Sequence, residues 1–201
     1  FNDESLDLSN LIFKSLNMEW CFASTYIKDV GFFKNYDKYA AIGFIFSFCK
    51  NIEKVDKNIL KSKVVKNIAY LFQGCQNLKQ VVGSWDPMNP NNKSGFKIPE
   101  SVINSHNVFA WCKNLKSVKN LKLNKTNNRS MFYECVSLKE IDNLQLNGNC
   151  SNIFLNCHIN KSWKVWLPTE IDTKTIPSYN KDNFLEMAVS HSQLKTFYVD
   201  I

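Results

Sequence analysis

Apolar residues recur along this chain on a three-residue beat. A Phe is followed by a Cys three residues on, a Leu or Ile three after that, and a Val or Ile three further. The frame stands in FSFCKNIEKV, FQGCQNLKQV, FAWCKNLKSV and MFYECVSLKEI, anchored on Phe46, Phe72, Phe109 and Phe132. A fifth copy starts at Phe154 and carries Cys157, Asn160 in the Leu slot, and Trp163. The anchors lie 26, 37, 23 and 22 residues apart. Repeats at such spacing predict a solenoid, in which each rung buries its apolar face only against its neighbours. Residues up to each Cys, as in SVINSHNVFAWC and KNIAYLFQGC, have helical spacing and predict short helices. Residues after each Leu, LKSVKNLKL (115–123) and LKEIDNLQL (138–146), end in strand alternation, Leu121-Lys122-Leu123 and Leu144-Gln145-Leu146. The expected fold class is α/β: a leucine-rich-repeat solenoid with parallel strands on one side and helices on the other.

Two degenerate copies extend the array. Met18, Cys21, Ser24 and Ile27 fit the frame weakly, and so do Ala188, His191, Leu194 and Phe197. Atypical ends are expected where terminal rungs cap the core. Apolar residues at 8, 11, 12, 16 and 20 predict a helical N-terminal cap over 1–44. Five repeats then fill 45–167, and a helix-strand C-terminal cap fills 168–201, all within one structural domain. The long period holds an insertion, WDPMNPNNKSGFKIPE (85–100), whose Pro, Gly and Asn content predicts a loop.

The motifs MFYECVSLKEI, VFAWCKNLKSV, LFQGCQNLKQV and IFSFCKNIEKV resemble the BspA-like (Treponema-type) leucine-rich repeats, in the MFxxCxxL variant found in mycoplasma-type surface lipoproteins. The resemblance covers about 46–167. It implies a curved solenoid, a surface-exposed or secreted binding protein, and no shared catalytic residues. Localisation by that resemblance is extracellular or at the cell surface. The many cysteines leave the cytoplasm as the alternative.

Composition narrows the partner. The net charge is +7, yet 25 basic residues include one arginine, Arg129. Nucleic-acid proteins favour the bidentate guanidinium, so nucleic acid is not the expected partner. The longest apolar runs fall short of the roughly 18–20 residues of a bilayer span. The sequence begins FNDESLDLSN, which reads as a trimmed or mature fragment in which a leader or lipid signal would not be visible.

Seven cysteines raise the question of disulfides, metal or catalysis. One Cys per rung at a fixed inward slot predicts a column of packed free thiols, since equivalent neighbours offer no preferred disulfide partner. Zinc-type CxxC or CxxH spacing is absent, so no metal or other cofactor is expected. Cys150, in NGNCSN, falls outside the column and reads either as a structural turn residue or as an exposed thiol.

Two surfaces are candidates for binding. Residue seven after each anchor is Glu53, Lys79, Lys116, Lys139 and Lys161. This lysine column is either suited to an anionic partner or simply an exposed strand start. Lys122 and Gln145 lie beside it. The insertion adds Trp85, Met88 and Phe96, which either pack back on the adjacent rung or meet a partner. The expected function is protein–protein interaction without catalysis, as an adhesin-like or secreted effector protein whose partner is a protein, host-derived or acidic. The alternatives are a cysteine hydrolase-like enzyme with its site in the flanks and a structural spacer of a larger surface protein.

Overall fold

A computed structural model describes residues 17–30, 40–60, 63–86, 89, 91, 94–158 and 163–166. Five strands form one parallel sheet in chain order: β1 (Lys54–Val55), β2 (Gln80–Val82), β3 (Ser117–Lys122), β4 (Glu140–Gln145) and β5 (Val165–Trp166). The register places Val55, Val81, Val118 and Ile141 side by side, and Leu121 beside Leu144. These are equivalent positions of successive repeats, so each repeat is one rung of a parallel β-solenoid. In the last rung Val165, not Trp166, pairs with Leu144, because that rung is one residue shorter.

The helices expected opposite the sheet do not form among the described residues. Each helical-looking segment is instead a chain of tight turns. Two residues before and two after each anchor, φ is positive: Phe44 and Phe48, Tyr70 and Gly74, Asn107 and Trp111, Ser130 and Glu134, Asn152 and Asn156. An α-helix cannot run through left-handed residues at that spacing. Within a rung the amide three residues on bonds back, as in Ile45 to Ile42 and Cys49 to Phe46, with the positive φ at the third turn position as in type II turns. The remaining amides bond to the next rung: Phe46 N–H to the Leu71 carbonyl, Phe72 to Val108, Phe109 to Met131, Phe132 to Ile153. The apolar beat of three to four residues is shared by a helix and by this turn stack. What separates them is hydrogen bonding between rungs, which no single rung reveals.

The anchors form the core. Phe22, Phe46, Phe72, Phe109, Phe132 and Phe154 stack with centroids 5.6–6.0 Å apart and ring planes within 12°. Rungs are spaced by about 4.8 Å, so the rings are offset, which is the favourable stacked geometry. The N-terminal frame is corrected by four residues. Phe22, not Met18, stacks on Phe46, and its amide bonds to the Ile45 carbonyl as the next anchors do in turn. Residues 17–30 therefore form a rung of the solenoid and no helix. The helical spacing of 1–16 and the cap expected at 168–201 lie outside the described residues.

A second ladder starts each rung. Asn17, Ala41, Asn67, Asn104, Asn127 and Asn149 pair in parallel, each five residues before its anchor. The side-chain oxygens of Asn17, Asn67, Asn127 and Asn149 accept the amide two residues on, at 2.9–3.3 Å. This Asx turn bends the chain into the turn stack.

The insertion does not stand off the scaffold. Phe96 bridges to Gly83, and its ring meets Phe72 and Phe109 edge-on at 6.2 and 5.8 Å. Gly95 has φ +112, and a Cβ there would strike the Gly83 carbonyl. The loop can close onto the sheet because that Cβ is missing.

Phe109 is fully buried between Phe72 and Phe132, so Phe109→Ala is expected to cost about 3–5 kcal/mol in chemical denaturation. Trp20→Ala, on an exposed ring, is expected to cost under about 1 kcal/mol. Comparable costs would contradict the stack.

Candidate functional site

The column cysteines are packing residues with a polar task. Cys49, Cys75, Cys112 and Cys135 are fully buried. Their thiols donate to the anchor carbonyl of the preceding rung, at 3.1–3.2 Å: Cys49 to Phe22, Cys75 to Phe46, Cys112 to Phe72, Cys135 to Phe109. Cys157 does the same to Phe132 at 3.0 Å. Thr25 holds the slot in the first rung, bonded to Phe22 at 2.7 Å. All seven cysteines are free. Burial pushes the Cys112 and Cys157 thiols up to about 12, and Cys75 and Cys135 well above the ordinary 9.0. A nucleophilic cysteine needs the opposite shift, and none of the described thiols has it. Cys150 is also buried, with its thiol on the Asn147 carbonyl at 3.2 Å, which settles it as a structural residue. Among the described residues no cluster of three or more His, Cys, Asp or Glu could hold a metal ion.

On the sheet face the lysine column exists. Lys79 N–H bonds to the Glu53 carbonyl, Lys116 to Lys79, and Lys139 to Lys116, so the four side chains leave neighbouring rungs at one position. Lys79 pairs with Glu53 at 3.0 Å. Around the column, Lys119 pairs with Glu140, Lys164 with Asp142 and Lys54 with Asp56. Lys116, Lys122 and Lys139 are exposed and have no ion pair among the described residues. Lys161 and Met88 lie outside the described residues.

Three other candidates turn out differently. Phe96 is buried at 1% exposure, a core residue that no partner reaches. Gln145 is buried at 2%, beside Trp166 in the register. Trp85 is half-buried, its indole edge-on to Trp166 at 5.8 Å, so the two tryptophans meet across the ends of β3 and β4. The insertion therefore packs back through Trp85 and Phe96.

The turn side holds a feature that sequence reasoning missed. Two residues before each anchor the outward column reads Trp20, Phe44, Tyr70, then Asn107, Ser130, Asn152. Trp20 stacks on Phe44 at 3.9 Å and Phe44 on Tyr70 at 4.2 Å. After Tyr70 the column turns small and polar, and a groove of about 460 Å³ opens there. Its lining is Tyr70, Asn107, Ser130 and Asn152 of that column, His106 and Arg129 one position earlier in their rungs, and Tyr133 and Leu155 one position after their anchors. His106 Nδ1 lies 2.6 Å from Asn104 Oδ1 and donates to it, so Nε2 is left as the free ring nitrogen. Burial, and then the Arg129 charge, lower the His106 pKa from its ordinary 6.5. Reading the repeat in columns, outward slots included, would have exposed this break.

No protein-family model matches the chain, and no curated protein or solved structure matches it either.

Alkylation under native conditions is expected to modify at most one or two thiols by intact mass, Cys21 first because it alone is exposed among the described cysteines. Five or more adducts would contradict the buried column. His106 gives a pH prediction. Its folded-state pKa is depressed, so the unfolded chain takes the proton first and stability falls as pH drops below 6.5. His106→Gln is expected to reduce that loss in denaturation between about pH 7 and 5, near the ordinary His value. An unchanged pH profile would show that the histidine is not shifted.

Proposed function

We propose that this chain is a protein-binding module of the repeat-solenoid type that works without catalysis, as an adhesin-like surface protein or a secreted effector of the BspA-like kind. One observation carries the reading. On the sheet face most lysines are neutralised by an acidic neighbour, whereas Lys116, Lys139 and Lys122 are exposed without one. Lys116 and Lys139 stand one rung apart, about 4.8 Å, and their like charges repel. Folding gains nothing from that arrangement, while an acidic surface laid across β3 and β4 gains several weak contacts at once.

A rigid sheet favours such binding, because the lysine stems project in a common direction and little backbone order is lost on association. Burial raises the pKa of all seven thiols, which counts against the cysteine-hydrolase alternative; the one cysteine in a flank is Cys21, and the chain beyond 166 has none. Localisation at the surface or outside the cell belongs to the same proposal.

Lys116→Glu/Lys139→Glu is expected to leave the fold intact, lower the association rate for an acidic protein partner recovered by pull-down, and flatten its salt dependence. Binding and salt dependence like those of the parent chain would remove the sheet face from consideration.

A further inference from the structure

We infer that the groove on the turn side, where the external aromatic column ends, is a binding site for an acidic sugar, a uronic acid unit. This site is separate from the lysine-bearing sheet face, so either can fail without the other. Its shape comes from a change of residue type on an unchanged backbone. Tyr70 and Asn107 occupy equivalent positions with φ of 61° and 58°, so an aromatic at 107 would continue the outward column into the groove. About 460 Å³ lies within the range of small-ligand sites, about 300–1,000 Å³.

The lining fits such a sugar group by group. Arg129, the one arginine of the chain, stands in the lining with no acidic partner among the described residues, and no acidic side chain lines the groove. A guanidinium left this way takes a carboxylate in a bidentate pair. The His106 ring has its Nδ1–H held by Asn104, so neutral Nε2 accepts a hydrogen bond, as a hydroxyl would supply. The amides of Asn107 and Asn152 and the hydroxyl of Ser130 add donors and acceptors for further hydroxyls. Tyr133 offers ring surface to the apolar face of a pyranose, and Tyr70, stacked on Phe44 at 4.2 Å, closes the end of the groove. Tyr133 is itself held edge-on by Trp111 at 5.9 Å, and Tyr70 by His106 at 4.6 Å, so both rings are positioned before a ligand arrives. One carboxylate, several hydroxyls and an apolar ring face on a single small ligand describe a uronic acid.

The test is calorimetric titration of the full chain with trigalacturonate and triglucuronate, against neutral galactotriose and a Glu-rich hexapeptide. At least one oligouronide is expected to bind about tenfold or more tightly than galactotriose, the scale of a charge-assisted hydrogen-bond pair, and more tightly than the peptide. Arg129→Gln, an exposed change, is expected to bring the oligouronide down to the level of galactotriose. Asn107→Tyr is expected to abolish binding while keeping the thermal midpoint, because the column already carries Trp20, Phe44 and Tyr70 at this backbone geometry. Free galacturonate or glucuronate binding as tightly as its trimer would assign the site to the free sugar acid, and a gain with the trimer to a glycan chain. The inference is overturned if neither oligouronide binds, if galactotriose binds equally, if the peptide binds more tightly, or if Arg129→Gln changes nothing.

Discussion

Every part of this molecule depends on one rung lying in register on the next. Half of the amides in the turn segments bond within their own rung, and the others find carbonyls only on a neighbour. A single rung would leave those amides unpaired and its Phe exposed, so no rung is stable alone. The anchor Phe, the thiol three residues later and the Asn five residues before it each act across that gap. The ring stacks, the sulfur donates to the preceding anchor carbonyl, and the Asn bends the chain into the position where both can happen.

The same constraint frees the outside. Inward slots repeat because the spacing between rungs admits little variation, whereas outward slots change without disturbing the ladder. Where the Asn column meets His106, the imidazole takes the bond that a backbone amide takes at Asn67, Asn127 and Asn149. Where the outward aromatics give way to Asn107, a groove opens. On the sheet face the outward lysines are paired in some rungs and unpaired in others. Function in such a scaffold is written in the columns that break, on a backbone that does not.

The inward frame was legible in the chain because Phe, Cys, Leu and Val recur at fixed offsets, and it predicted the parallel sheet and the buried thiols. The turn segments were misread as helices, since residues such as Val108, Phe109 and Cys112 satisfy a helical face equally well. The first rung was set four residues off because Cys21 imitates the column, although Asn17 five residues before Phe22 marks the true frame. The insertion could not be placed from composition. Phe96 enters the core by a contact between Gly95 and Gly83 that only three-dimensional proximity creates. Of the sheet candidates, Lys116, Lys122 and Lys139 keep their exposed positions, while Gln145 is buried beside Trp166 in the register.

The central claim is that the segments before each cysteine are stacked left-handed turns and not helices. Backbone NMR of the labelled chain tests it most directly. Strong intraresidue amide-to-Hα contacts, the mark of positive φ, are expected at Tyr70, Asn107, Trp111, Ser130 and Glu134. Contacts between the rings of Phe72, Phe109 and Phe132 should accompany them. A continuous run of helical i to i+3 contacts through 102–112, with ordinary negative φ at Asn107 and Trp111, would contradict the account and restore the helical leucine-rich repeat.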